Sequence, residues 1–154
     1  MNKPTILSAG IKNVQFGEGV VVVEPVNLYG CDIGNNCKIG PFVEIQQAVK
    51  IGESTKIQSH SFICEGVIIG KDCFIGHGVM FVNDLFRDGK PAGGDKSKWG
   101  RSVIGNRVSI GSNATILPVE IIDDCVIGAG AVVTKDILIK GIYAGNPARL
   151  IRTL

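Results

Sequence analysis

Aliphatic residues recur at every sixth position along most of this 154-residue chain, and this period constrains the fold more than any other feature. The recurrence runs without a slip from Ile33 to Phe81, returns at Ile104, and continues with a one-residue shift to Val133. The next residue is often Gly, and the residue four positions after the aliphatic one is small or β-branched. An amphipathic helix, with a period of about 3.6, does not have this spacing, and neither does a simple alternating strand.

Because six is a multiple of two, the first and fifth residues of each hexad point the same way from a short strand. Three hexads with turns between them return the chain over itself, and 21 glycines, about twice the usual ~7% share, suit so many turns. Coils stacked about 4.8 Å apart would place Ile33 under Ile51 and Ile51 under Ile69. The sequence therefore predicts an all-β protein, a parallel β-helix of roughly six 18-residue coils, as one domain over residues 1–154.

The hexad phase is interrupted once, between Phe81 and Ile104, which are 23 positions apart. The polar, Gly-rich segment between them predicts an inserted loop over residues 84–102 that leaves one corner of the coil stack. Phe86 and Trp99 near its ends favour an ordered loop, because aromatic rings need packing partners.

The hexads fade after Val133, and Gly145 and Asn146-Pro147 signal turns. Residues 140–154 are therefore expected to form a short C-terminal strap or helix. A solenoid needs covered ends, and such a segment would close the last coil.

Composition excludes several classes of protein. A net charge of +2 argues against a chain whose main partner is nucleic acid or anionic lipid. No apolar run approaches the ~20 residues that cross a bilayer, and the first residues lack the pattern of a secretory signal. Five cysteines without CxxC spacing favour reduced thiols and a cytoplasmic location. Cys37, Cys73 and Cys125 occupy the inward fifth position of the hexad, whereas Cys31 and Cys64 are interpreted as lying outside this register.

The repeat resembles that of the hexapeptide-repeat acyltransferases, and the resemblance covers Phe16 to Ile151. It implies a left-handed parallel β-helix, a homotrimer with active sites between subunits, acetyl-CoA as the co-substrate and no metal. The runs Ile127-Gly-Ala-Gly-Ala-Val-Val-Thr-Lys135 and Ala144-Gly-Asn-Pro-Ala-Arg149 are similar to those with which these enzymes hold acetyl-CoA. The cofactor-binding residues that the resemblance implies are Gly111, Ser112, Gly128, Ala129, Ala131, Lys135, Asn146, Pro147 and Arg149.

A narrower resemblance lies in two runs, Ser59-His-Ser-Phe-Ile-Cys-Glu-Gly-Val67 and Phe74-Ile-Gly-His-Gly-Val-Met-Phe-Val-Asn-Asp84. They look like bacterial N-acetyltransferases that act on the 3-amino group of nucleotide-linked sugars. The resemblance implies acetyl transfer to UDP-2-acetamido-3-amino-2,3-dideoxy-glucuronate or to a dTDP-3-amino-dideoxyhexose, in surface polysaccharide (O-antigen) synthesis.

Stacking at 18-residue intervals places Gln47, Glu65 and Asn83 at one edge of the prism, and His77 above Ser59 at the neighbouring corner. Asn83 is predicted to position the sugar amine through its side-chain carbonyl. His77 is a candidate acceptor of the amine proton, a role that the departing thiolate can also fill. The candidate substrate-binding residues are His60, Glu65, Asp84 and Arg87.

Other functions stay open on the same solenoid. An O-acetyltransferase acting on a sugar or serine hydroxyl would need His77 as a base. A zinc-dependent carbonic anhydrase needs three imidazoles, and the chain has only His60 and His77. The third alternative is a non-catalytic solenoid, either a scaffold or an ice-binding prism. The sequence lacks the flat Thr-rich faces expected of an ice-binding prism. The tail, which is similar to acetyl-CoA-binding segments, argues against a bare scaffold.

Overall fold

The computed structural model describes residues 3–154, and short strands make up almost all of their regular structure. In chain order the strands are Ile11–Lys12 (β1), Gln15–Phe16 (β2), Val21–Val22 (β3), Asn27–Tyr29 (β4), Asp32–Ile33 (β5), Lys38–Ile39 (β6), Glu44–Ile45 (β7), Lys50–Ile51 (β8), Lys56–Ile57 (β9), Phe62–Ile63 (β10), Ile68–Ile69 (β11), Phe74–Ile75 (β12), Met80–Phe81 (β13), Val103–Ile104 (β14), Ser109–Ile110 (β15), Thr115–Ile116 (β16), Glu120–Ile121 (β17), Val126–Ile127 (β18), Val132–Val133 (β19), Gly141–Ala144 (β20) and Arg149–Thr153 (β21). The one helical element of residues 3–154 is a short 3-10 helix at Lys96–Lys98.

The strands form three sheets, which are the three faces of a prism. Face A contains β1, β4, β7, β10, β13, β16 and β19; face B contains β2, β5, β8, β11, β14 and β17; face C contains β3, β6, β9, β12, β15, β18, β20 and β21. The chain passes from face A to face B to face C and back. Its turns therefore stack into three corners: the AB corner (residues 46–48 in one coil), the BC corner (residues 34–36) and the CA corner (residues 40–42).

The observed register confirms the predicted stacking. Ile33 pairs with Ile51 and Ile51 with Ile69, and each of these side chains is at most 4% exposed. The coil count is seven on face A, one more than the predicted six, because the looser stretch before the clear hexads already completes a coil. In that stretch Phe16 pairs with Ile33, so a coil can also take 17 residues.

Glycine follows the buried aliphatic residue because successive coils nearly touch at the BC and CA corners. A Cβ atom on Gly52 would lie 2.5 Å from the carbonyl carbon of Gly70, and one on Gly111 would lie 2.4 Å from the amide nitrogen of Ala129. The AB corner differs, since residues such as Gln46 occupy the equivalent position there. The inserted loop departs from this AB corner.

The cysteines pack inside the prism. Cys37, Cys73 and Cys125 are buried at the inward position, as predicted. The prediction that Cys31 falls outside this register is wrong: Asp32 pairs with Lys50, so Cys31 stacks on buried Val49. Counting in sixes misplaces Cys31 because the coil that contains it is one residue shorter than the next coil.

Residues 84–102 form a loop whose base is closed by a hydrogen bond from the Gly100 amide to the Asn83 carbonyl, 2.8 Å long. The Asp84 carboxylate accepts the amides of Phe86 (2.9 Å) and Ala92 (2.7 Å). These bonds connect the two ends of the loop and brace it from within. The argument from aromatic packing does not apply to Phe86, which is 57% exposed.

The C-terminal segment is a β-hairpin, so the helical alternative is wrong. Strand β20 extends face C beside β18, and β21 folds back antiparallel to β20. Pairing with the edge of the last coil satisfies the backbone groups of β20, and the same hairpin closes one end of the solenoid.

Candidate active site

The predicted polar edge is present at the AB corner. Gln47, Glu65 and Asn83 stack there on successive coils, and Lys96 of the inserted loop contacts Glu65. The ammonium of Lys96 donates to both carboxylate oxygens of Glu65, at 2.5 and 2.8 Å, and lies 5.7 Å from the centre of the Trp99 ring. Glu65 is therefore engaged by the loop, and a cationic ligand would compete with Lys96 for its carboxylate.

A second polar group lies on the outer surface of face A. The Glu44 carboxylate accepts hydrogen bonds from Asn27 Nδ2 (3.1 Å) and Gln46 Nε2 (2.8 Å). Gln46 Oε1 in turn accepts the amide of Glu65 at 3.2 Å. Burial, together with the charges of Glu44 and Glu65, raises the pKa of the Tyr29 phenol. Sequence reasoning missed this network, because its members occupy the variable positions of the hexad.

The two remaining predicted loop residues differ in their surroundings. The Asp84 carboxylate accepts hydrogen bonds from the amides of Ala92 and Phe86, and these bonds lower its pKa. Arg87 is exposed on the loop surface. Asp84 therefore shapes the loop, whereas the Arg87 guanidinium faces solvent.

His77 lies at the CA corner, where the next-lower coil supplies its partner. The hydroxyl of Ser59 lies 2.8 Å from His77 Nδ1, as the 18-residue stacking predicts. This contact fixes the plane of the imidazole and leaves Nε2 on the side away from Ser59. His60, the next residue along this turn, stacks on Phe42 with ring centroids 4.8 Å apart.

Asn83 and His77 do not meet within one chain. They lie at the two ends of the prism side that contains β13, Asn83 at the AB corner and His77 at the CA corner. A site that uses both residues needs a second copy of the chain.

Most of the predicted acetyl-CoA residues gather at the upper CA corner. Gly111, Ser112, Gly128 and Ala129 occupy successive coils of this corner. The hairpin turn at Asn146-Pro147 adjoins them, since Val132 N–H donates to the Gly145 carbonyl at 3.0 Å. Arg149 begins β21 beside this turn, and Lys135 lies apart from the group, at the AB corner.

The backbone amides of this group differ in their availability. Those of Gly111, Gly128 and Ala131 donate to the carbonyls of Ile127 (2.7 Å), Tyr143 (2.7 Å) and Gly128 (3.3 Å). Over residues 3–154, the amides of His77, Ser112 and Ala129 have no hydrogen-bond acceptor. Over the described residues, these three amides form a column of unpaired donors along the CA corner.

The cysteine thiols are not activated. Burial raises the pKa of Cys31 to about 11 and that of Cys64 to about 12. Thiolates are the reactive form of cysteine, so neither side chain is a nucleophile near neutral pH.

In the part of the chain that the structure describes, no three His, Cys, Asp or Glu side chains form a metal-binding group. None of its helices is long and apolar enough to span a bilayer.

Two family models match the chain: the bacterial transferase hexapeptide (six repeats) over residues 48–83, and the hexapeptide repeat of succinyl-transferase over residues 102–135. The fold and these repeats define a hexapeptide-repeat parallel β-helix. Both matched models describe hexapeptide repeats of transferases, and they cover the coils on either side of the inserted loop.

Relatives share parts of this architecture. A chloramphenicol acetyltransferase from Agrobacterium fabrum is 52% identical over 54 residues, which are 34% of this chain and 26% of the relative, so the chain matches about a quarter of its length. The structure of a mutant of AntD, an N-acyltransferase from Bacillus cereus, in complex with dTDP and coenzyme A superposes with a TM-score of 0.77 at 22% identity, covering 90% of this chain and 83% of that one. A galactoside acetyltransferase in complex with coenzyme A gives 0.64 at 29% identity, covering 92% and 65%.

Proposed function

We propose that the protein transfers an acetyl group from acetyl-CoA to the 3-amino group of a nucleotide-linked sugar in the bacterial cytoplasm, for surface polysaccharide synthesis. The sugar would be UDP-2-acetamido-3-amino-2,3-dideoxy-glucuronate or a dTDP-3-amino-dideoxyhexose. The observation that carries this proposal is the CA corner, where an imidazole held by Ser59 shares a column with the open amides of Ser112 and Ala129. The similarity of the fold to an N-acyltransferase that binds dTDP and coenzyme A supports it.

The open amides suit the pantetheine arm of acetyl-CoA, whose amide carbonyls accept hydrogen bonds. The Gly and Ala residues of this corner let a thin arm approach the backbone. Arg149 and Lys135 would then bind the phosphates of acetyl-CoA. Arg149 would do so from the same corner, and Lys135 from the AB corner of a neighbouring copy.

In the reaction, the neutral amine nitrogen attacks the thioester carbonyl carbon, a C–N bond forms and the C–S bond breaks. Asn83 Oδ1 accepts one N–H of the amine and so aims its lone pair. The proton lost from nitrogen goes to His77 Nε2 or to the departing thiolate. Outward-pointing amides near the carbonyl stabilise the developing oxyanion.

A matched pair of substrates tests the chemistry. The protein is incubated with acetyl-CoA and either the 3-amino sugar nucleotide or its 3-hydroxy counterpart, and products are identified by mass spectrometry. We expect acetylation of the amino form alone. Acetylation of neither form overturns the proposal.

The second candidate function is O-acetyl transfer, and a specific contact favours it. A hydroxyl nucleophile needs a base, and the Ser59–His77 pair provides an oriented imidazole. The likeness to a galactoside acetyltransferase points the same way. Faster acetylation of the 3-hydroxy sugar in the matched-pair assay would establish this alternative.

The separation of Asn83 from His77 within one chain leads us to propose a homotrimer with shared sites. If Asn83→Ala and His77→Ala each depress turnover, mixing the two variants would form trimers in which some sites carry both native residues. We expect activity to return when the two variants are co-expressed. Co-expressed variants that stay inactive, while light scattering shows mixed trimers, would contradict shared sites.

A further inference from the structure

Phe42 departs from the pattern of the corners in two ways. Its backbone is left-handed, with φ of +61°, and its ring is 56% exposed. The other left-handed corner positions mostly carry residues suited to that conformation, such as Asn36, Ser54, Asp72, Asn113 and Asp124. A bulky residue there costs about 1–2 kcal/mol, and an exposed ring returns little of it. Such strain without a gain in packing is typical of functional positions.

His60 repeats this departure one coil higher. It too has a positive φ, +65°, and its ring stacks on Phe42 with an interplanar angle of 29°. Coils are about 4.8 Å apart, so Phe42 lies about 10 Å below Gly78, the neighbour of His77. The two rings therefore form an aromatic platform that leads up the CA corner towards His77.

A pocket of about 250 Å³ adjoins the platform. Pro25, Val26 and Phe42 contribute to a mainly apolar wall, and Asn27 and Glu44 also line the pocket. Pockets for drug-sized ligands are roughly 300–1,000 Å³, so this one suits a single planar ring.

A row of polar side chains begins at Asn27 and Glu44, which line the pocket, and continues beyond it to Gln46. The Glu44 carboxylate lies between the amide nitrogens of Asn27 and Gln46. The Glu65 amide holds Gln46 Oε1, so Nε2 of Gln46 must face Glu44. Each amide nitrogen keeps a second N–H and each carboxylate oxygen a second lone pair. The row therefore offers a ligand an N–H donor from Asn27, a carboxylate acceptor from Glu44 and an N–H donor from Gln46.

We propose that this pocket binds the pyrimidine base of the nucleotide-sugar substrate, which deepens the function proposed above and rests on it. The imide edge of uracil or thymine presents a carbonyl, an N–H and a second carbonyl, the complement of this row. The base stacks on Phe42, and the diphosphate and sugar extend along the CA corner to His77. Cytosine and the purines present different edges.

Calorimetric titration of the full protein with UDP, dTDP, CDP and ADP tests the assignment. We expect UDP and dTDP to bind at least about tenfold more tightly than CDP and ADP, since a site built for specific polar groups rejects ligands that lack them. Phe42→Leu should weaken UDP binding about tenfold, through loss of base stacking. Glu44→Gln should weaken it by a similar factor and narrow the preference for UDP over CDP.

Phe74→Leu is the matched control, because Phe74 is also an exposed aromatic residue (42%) but lies on face C away from the pocket. This variant should bind UDP as the native protein does. Equal binding of all four nucleotides, or unchanged binding by Phe42→Leu, overturns the assignment. A changed molecular mass of Phe42→Leu in light scattering also overturns it, because the ring would then be a subunit contact.

The titration separates this inference from the function on which it rests. Selective binding of UDP or dTDP without acetylation of any amino sugar would refute the function and retain the base site. Acetylation of the amino sugar with an unchanged KM in Phe42→Leu and Glu44→Gln would retain the function and refute the base site.

Discussion

The BC and CA corners have the same backbone turn but differ in their side chains. At the BC corner, the amides of Glu18, Lys71 and Asn106 each donate to a side-chain oxygen of the coil above, at 2.8, 3.0 and 2.8 Å. The acceptors are Asn35, Asn106 and Asp123. At the CA corner the equivalent positions hold Ser59, His77, Ser112 and Ala129, and no such ladder forms.

The difference shows how one repeat can build both closed corners and corners with open amides. Asn and Asp at the second corner position accept hydrogen bonds from these amides and so join neighbouring coils. Ser, His and Ala at the same position leave those amides available to a ligand. A buried or closed donor adds about 1 kcal/mol per bond to folding, whereas an open donor adds to binding instead.

The largest effect is expected from His77, which has Lys71 as its counterpart at the BC corner. His77→Ala should lower kcat about 10²–10⁴-fold if the imidazole is the base, because general bases contribute that much. Lys71→Ala should leave kcat unchanged. Unchanged turnover in His77→Ala would instead assign the proton to the departing thiolate.

Closing the open corner is expected to have the next largest effect. Ala129 is equivalent to Asp123, so Ala129→Asn should place a side-chain carbonyl opposite the Ser112 amide. We expect KM for acetyl-CoA to rise about tenfold, the equivalent of one lost hydrogen bond. Thermal stability should stay equal or rise. An unchanged KM would show that acetyl-CoA does not use the Ser112 amide.

The converse change opens the closed corner. Asn106→Ala removes the acceptor of the Lys71 amide and should lower the free energy of unfolding by about 1 kcal/mol. Steady-state activity of the folded enzyme should not change, since the BC corner carries no proposed ligand. Urea denaturation checks the first outcome, and an altered kcat/KM would contradict the second.

Much of this fold follows from the sequence because its core is periodic. Ile33, Ile51 and Ile69 face inward at a fixed interval, so the stacking of every later residue can be counted from them. The same counting places His77 above Ser59 and Glu65 on the edge that contains Asn83. The shorter coils obscure it locally, as the misplacement of Cys31 shows.

Other parts of the site were beyond sequence reasoning, because they depend on the conformation of single side chains. Nothing in the hexad specifies that Lys96 reaches back from the inserted loop to Glu65. The Asn27–Glu44–Gln46 row joins residues of two coils at variable positions, and one sequence gives no reason to group them. The one signal that the sequence offered is Phe42 itself, an aromatic residue at a corner position where other coils often carry Asn, Ser or Asp.

The smallest expected effect concerns the charges that cap the BC corner. Arg107 donates to Asp124 at 2.7 Å, Lys140 lies 3.3 Å from it, and these contacts lower the pKa of Asp124 to about 2. Because the folded pKa lies below the ordinary value of 3.8, the carboxylate stabilises the fold above pH 3.8 and loses this effect as the pH falls through about 2. Asp124→Asn should therefore have a slightly lower Tm than the native protein at pH 6 and an equal Tm near pH 2. Salt at about 1 M should shrink the difference at pH 6, because these groups are exposed. Over residues 3–154, the CA corner has no such ion pairs. The control variant Asn113→Ala should therefore show no comparable dependence of Tm on pH. A matching dependence in this variant would contradict the assignment to Asp124.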